Sequence, residues 1–219
     1  MISKYFSYHH NFNDIVKNDP AKNNGPEYWN LKYFPPNENW CWNTNIFTEK
    51  ELDRIIVIGK RLFLQRAQTG GNGEDCLDHR RSFVSWIGAN SETDWIFKKL
   101  TDAAIGNNNQ FWNYDLDKIE RLQFTQYLSE ENGTYHAHVD PMSWNNSHNR
   151  KLSMSLQLSD PSNYEGGNVI LHLSHNPTII SKERGLAVFF PSHTLHEVTP
   201  VTKGERYSLV AWFHGPNLK

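Results

Sequence analysis

The 219-residue chain has only two cysteines, Cys41 and Cys76, only three methionines, and no apolar run of membrane-spanning length. Two cysteines exclude a disulfide-stapled scaffold and a cysteine zinc cluster; both are expected to be reduced and structural. Lacking about 18 consecutive apolar residues, the chain is predicted to have no transmembrane helix, and its start, MISKYFSYHH, lacks a signal-peptide core. A cytoplasmic protein is therefore expected, in which the sequons at Asn132 and Asn145 carry no glycan. Charge of one sign is also missing. With 22 Lys and Arg against 24 Asp and Glu, the formal net charge is -2, so neither a nucleic acid nor a membrane is an expected partner. What is present is material for a core: 37% of residues are hydrophobic and 13% aromatic, which excludes disorder of the whole chain. The length suits one domain.

Residues 1 to about 45 are rich in Asn, Pro and Trp without a sustained period. Pro35-Pro36 and the cluster Trp40, Cys41, Trp42 suggest an extended segment pinned by aromatics. Thr48 followed by Glu51 is a capping box, Phe47 and Leu52 form a hydrophobic staple, and Leu52, Ile55, Ile56, Ile58 and Leu62 give an apolar helical stripe read as core. A second helix is expected from Ser91, with Asp94 completing its cap, to the tract Gly106–Asn109. GGNG at 70–73 lacks the Lys and Ser/Thr of a phosphate cradle and is read as a loop.

From about residue 120 the period changes. LQFTQY (122–127), TYHAHVD (134–140), KLSMSLQL (151–158), NVILHL (168–173), LAVFF (186–190) and RYSLVAWF (206–213) read as short strands, with Gly166-Gly167 as a hairpin turn. Many short strands with no helices between them predict a mainly β, α+β domain: a double-sheet jelly roll with two helices on one face. Residues 1–121 would be an N-terminal extension with supporting helices, and 122–214 the core, of a single domain.

Along the strand 134–140 alternate side chains share a face, which places His136, His138 and Asp140 together. His-x-Asp alone is unspecific. With His196, in FFPSHTLHEVTPV, it becomes two histidines and a carboxylate, the facial triad of non-haem Fe(II) oxygenases. In ERYSLVAWF, alternation puts Arg206, Ser208, Val210 and Trp212 on one face and Tyr207, Leu209, Ala211 and Phe213 on the other. An inward Arg206 is costly unless a buried anion meets it, and a bidentate carboxylate fits that need. A structural ion pair is the bland alternative.

The pieces YHAHVD, LSDPSNYEGGNVIL and GLAVFFPSHTLHEVTPVTKGERYSLVAWF together resemble, over about residues 122–214, the iron- and 2-oxoglutarate-dependent dioxygenases of the prolyl 4-hydroxylase type. The resemblance implies a double-stranded β-helix, with His138, Asp140 and His196 as Fe(II) ligands. It implies Arg206 on the distal carboxylate of the cosubstrate 2-oxoglutarate, Ser208 completing an Arg-x-Ser pair, and Tyr127 touching the same cosubstrate. Ascorbate is a further candidate cofactor. Gln157 stands where some relatives have a tyrosine near the arginine, and Trp212 matches an aromatic that lines the pocket in some members. The intact carboxylate at Asp140 implies hydroxylation, coupled to conversion of 2-oxoglutarate to succinate and CO2. The resemblance points to a peptide or protein substrate, with a prolyl residue first. A free amino acid or small metabolite is the alternative, and a cupin-like metal protein or an inert binding module comes from outside the class.

Other side chains have competing readings. His136 could be a ligand or a polar rim residue, and His193 could compete with His196 but lacks the HEVTPV context. His172 and His214 read as packed or surface residues. Trp144 could wall a substrate or bury itself against the roll.

Overall fold

Helix α1 (Glu49–Arg61) starts as its cap dictates. Thr48 is N-cap, its hydroxyl accepting from Glu51 N while Thr48 N donates to Glu51 Oε2 at 2.8 Å. The stripe Leu52, Ile55 and Ile58 is buried, and the staple residue Phe47 joins the same core cluster. At Gly59 the helix lies directly on the sheet: a Cβ there would stand 2.3 Å from a Phe124 ring carbon. The Gly59 carbonyl also accepts from Ser85 Oγ at 2.8 Å. In this computed structural model, residues 39–67, 77–140 and 148–216 are described. Pro35-Pro36, Cys76, the 70–73 glycine tract, Trp144 and Asn145 lie outside them.

The second helix, α2 (Asp94–Phe111), departs from expectation at both ends. Its N-cap is Thr93, with no side-chain cap, because Thr93 Oγ donates instead to Gly88 O at 2.6 Å and Asn90 Oδ1 takes the Glu92 amide. It also runs through Gly106–Asn109. Asn107 donates to Asn43, and Asn108 brackets Tyr114 by accepting from its amide and donating to its carbonyl. Tertiary partners for these amides, with Phe111 buried, outweigh the weak local preference to stop.

Among the described residues, fourteen strands follow one another along the chain. Four precede α2: β1 (Cys41–Asn43), β2 (Gln65–Arg66), β3 (Arg80–Arg81) and β4 (Phe83–Ile87). Then come β5 (Lys118–Ile119), β6 (Leu122–Leu128), β7 (Thr134–His138) and β8 (His148–Gln157). The last six are β9 (Tyr164–Gly166), β10 (Val169–Leu171), β11 (Thr178–Ile179), β12 (Ala187–Pro191), β13 (His196–Val198) and β14 (Val201–Pro216). The larger sheet has the order β1-β12-β8-β14-β6-β4-β2, with β5 and β9 also on β14, and the smaller β11-β10-β13-β7-β3. This is the expected double-stranded β-helix, α+β and mainly β.

Gly166-Gly167 is not a hairpin turn. β9 before it pairs with β14, whereas β10 after it pairs with β11 and β13, so the two glycines form a corner where the chain changes sheets. Both have positive φ, and a Cβ on Gly166 would lie 2.0 Å from Pro200 O. Only glycine tolerates that combination.

The larger sheet is apolar on its helix side. Phe124, Leu152, Met154, Leu156, Leu209 and Phe213 pack with α1 and α2 there. Its other face is polar yet buried: Gln123, Thr125, Ser153, Gln157, Arg206 and Ser208 are each at most 5% exposed. Strands that alternate core residues with buried polar ones must face something other than solvent or oil, and here they line a cavity between the sheets. No helix among the described residues is long and apolar enough to cross a membrane.

Candidate active site

His138, Asp140 and His196 meet at one part of this cavity, their ligand atoms all within 4.8 Å of one another. β7 and β13 bring them together, with His196 opposite His138 in the register. His196 and Asp140 are buried, and His196 Nε2 lies 3.9 Å from Asp140 Oδ2. Each imidazole is oriented by a backbone carbonyl: His138 Nδ1 is 2.7 Å from His136 O and His196 Nδ1 2.9 Å from Thr194 O. A proton on each Nδ1 leaves both Nε2 lone pairs free for a cation, the usual support of a metal-binding histidine. Burial, followed by the charge of the neighbouring His196, pushes His138 down to about 4, so it is neutral at pH 7. Two imidazole nitrogens and one carboxylate oxygen fit a divalent iron site with positions left for other ligands.

His136 does not share that face. β7 carries a bulge: His196 pairs with His138 but Val198 with Tyr135, three residues spanned against two. The extra residue resets the alternation, so Tyr135 turns inward and stacks on His138, ring centroids 3.5 Å apart. His136 turns out, exposed, beside His79. His193 is exposed, His172 pairs with Glu197, and His214 pairs with Glu120.

Arg206, Ser208, Val210 and Trp212 line the cavity as alternation requires, and Tyr207, Leu209, Ala211 and Phe213 pack on the helix side. The cavity holds about 230 Å³. Arg206 is 1% exposed and meets no carboxylate among the described residues. Its Nη2 donates to Gln157 Oε1 at 2.8 Å and Nη1 reaches Ser208 Oγ at 3.5 Å. Its Nε has no partner, and its guanidinium sits 5.3 Å from the Tyr127 ring centroid. A buried cation held only by neutral groups, open to a cavity, is matched to an incoming anion. Gly167 makes the space, since a Cβ there would be 2.8 Å from Arg206 Cδ.

Three cavity residues escaped the sequence reading. Arg80, 6% exposed, donates from Nε to Ser82 Oγ, lies 4.4 Å over Tyr135, and has an unpartnered Nη2. Arg150 sits 3.8 Å over the Trp212 ring and makes a two-pronged pair with Glu120, at 2.6 and 2.8 Å. Trp86 lies beside Trp212, centroids 6.2 Å apart. An isolated arginine carries no pattern, whether in the two-residue β3 or the ten-residue β8; two tryptophans with no core position would have been the available signal.

Burial alone would raise Glu120, but hydrogen bonds from His214 and Arg150 hold it down to about 2. A folded-state value below the unfolded one gives stability present above the unfolded pKa and lost as pH falls toward the folded one. Between about pH 4.5 and 2 the protein should therefore lose on the order of 3 kcal/mol from this group. Urea denaturation at pH 7 and pH 3 checks it: Glu120→Gln should lower stability at pH 7 and flatten the acid limb. An acid limb as steep in the variant as in the wild type would assign that loss to other carboxylates.

Between its two sheets the jelly roll thus joins a His-x-Asp…His cluster to a buried arginine in one cavity. Residues 122–214, less than half of the chain, match the model of the 2OG-Fe(II) oxygenase superfamily. A PKHD-type hydroxylase of Pseudoalteromonas atlantica is 30% identical over 120 residues, 53% of this chain and 51% of that protein. One of Sphingopyxis alaskensis is 46% identical over 55 residues, 25% of each chain. The matches thus span about half or less of these curated relatives. Among solved structures, a Pseudomonas putida prolyl-4-hydroxylase superposes with a TM-score of 0.66 at 20% identity, over 82% of this chain and 94% of that one. A Trichoplax adhaerens prolyl hydroxylase, solved with a hypoxia inducible factor oxygen degradation domain peptide, gives 0.67 at 16%, over 80% and 83%.

Proposed function

We propose that this protein is an Fe(II)- and 2-oxoglutarate-dependent dioxygenase that hydroxylates a peptidyl residue, proline first. The observation that carries the reading is one cavity with the His138–Asp140–His196 cluster and an anion-seeking Arg206 in its wall. His138, Asp140 and His196 would hold the metal. Arg206, with Ser208 and Tyr127 beside it, would take the distal carboxylate of 2-oxoglutarate. Together the two bound groups supply the oxidising chemistry; the chain's own residues bind, orient and exclude water. Phe190 and Val198 close the cavity with apolar surface near His196, which keeps the site dry. Ascorbate would be a reductant from outside the site.

Support for a peptide comes from the wall formed by Trp212, Trp86 and Arg150. Flat aromatic faces suit a pyrrolidine ring, and a guanidinium fixed by Glu120 can donate to a peptide carbonyl. The similar structure holding a peptide is consistent with this. The second reading, a free amino acid or small metabolite, draws on Arg80, whose unpartnered Nη2 would also suit a substrate carboxylate. A panel of end-capped proline-containing peptides and free amino acids, incubated with Fe(II) and 2-oxoglutarate, separates the two. The expected result is a gain of one oxygen on a peptide, with one succinate per product. Oxygen gained by free amino acids alone would favour the second reading. A demethylated or desaturated product would overturn the hydroxylase assignment, and no succinate at all the dioxygenase one.

A further inference from the structure

Asp140 lies two residues beyond the end of β7, so strand alternation does not aim its carboxylate. Something else must. Its backbone amide donates to Ser192 O at 3.0 Å. Its Oδ2 accepts from Ser153 Oγ at 2.5 Å, and Ser153 Oγ lies 2.9 Å from Ser192 Oγ. A hydroxyl has one proton; since that of Ser153 serves the carboxylate, Ser192 donates to Ser153. Both serines are 1% exposed. Ser153 comes from β8, paired opposite Phe190 on one side and Trp212 on the other, so its position is set by the middle of the larger sheet. The turn holding Ser192 also supplies Thr194 O, which orients His196.

We infer that Ser153 is a positioning residue for Asp140, acting through its hydroxyl with Ser192 behind it, and that this relay sets the metal affinity of the site. The inference rests on the metal reading above. A buried carboxylate with this single side-chain donor among the described residues is free to rotate once the donor is gone, and a partner of a ligand contributes roughly ten- to a hundredfold to metal affinity. Threonine at 153 would keep the hydroxyl and suits a strand.

The test needs no turnover. Co(II) is titrated anaerobically into wild type, Ser153→Ala and Ser153→Thr, without 2-oxoglutarate, and read by its ligand-field absorption; thermal melting is recorded on the metal-free proteins. Ser153→Ala should bind at least about tenfold more weakly, with an altered band. Ser153→Thr should restore both affinity and spectrum, while the metal-free melting points stay together. Equal affinity in wild type and Ser153→Ala would overturn the inference and leave Ser153 as packing. So would a Thr variant as weak as the Ala one. Should Ser153→Ala not fold, Ser192→Ala, which leaves Ser153 in place, is expected to weaken binding severalfold, and an unchanged affinity counts against the relay. Wild-type protein that takes up no Co(II) would refute the metal reading itself, a distinct outcome.

Discussion

Replacing His138 by Ala is expected to abolish turnover and lower Fe(II) affinity about a thousandfold, ~4 kcal/mol, with the fold retained. Two of the three donors would remain, 3.9 Å apart, but a site with one histidine and one carboxylate has lost half its nitrogen ligation. The fold survives because the cores lie elsewhere. One packs between the helices and the larger sheet, and the other, around Val188, Phe190 and Val201, packs between the sheets without His138. Anaerobic Fe(II) titration and circular dichroism check the two halves. Undiminished binding in a folded variant would show that the three side chains do not act as one ligand set.

Arg206→Lys is expected to raise the 2-oxoglutarate concentration for half-maximal turnover at least tenfold, about 1.4 kcal/mol. Lysine keeps the charge but loses the planar fork that matches a carboxylate. It would also lose the simultaneous reach to Gln157 and Ser208. Fe(II) binding should be unchanged, since Arg206 is not among the clustered donors. Steady-state kinetics in 2-oxoglutarate, beside a metal titration, reads both. Ordinary cosubstrate dependence in the variant would reduce Arg206 to a structural role with Gln157.

The elements that could be read from sequence are those where one period runs uninterrupted. In β14 every residue from Arg206 to Phe213 faces the way period two dictates, and in α1 cap, staple and stripe agree. The meeting of His138, Asp140 and His196 was expected from the His-x-Asp pattern, a later histidine and the family resemblance of the motifs around them, although Asp140 does not owe its place to the strand. Where expectation failed, a tertiary contact outweighed a local preference. The β7 bulge turned His136 out, the Asn107 and Asn108 amides carried α2 past its expected stop, and Pro200 made Gly166-Gly167 a corner. β3 and β4, which carry Arg80 and Trp86, were not read: β3 is two residues long, and the burial of β4 follows no period of two.

The alternation of core and cavity positions along β6, β8 and β14 separates two kinds of evolutionary freedom. On one face, exchange at Phe124, Leu156 or Leu209 disturbs packing against the helices; on the other, exchange at Gln123, Ser155 or Val210 reshapes the cavity. Insertion or deletion of one residue within β14 would swap these roles at every position beyond it and push Arg206 or Trp212 into the helix layer. The scaffold is thus tolerant of point changes in substrate preference and intolerant of length changes in its strands. A library for a new substrate belongs at Gln123, Ser155 and Val210, with strand lengths untouched.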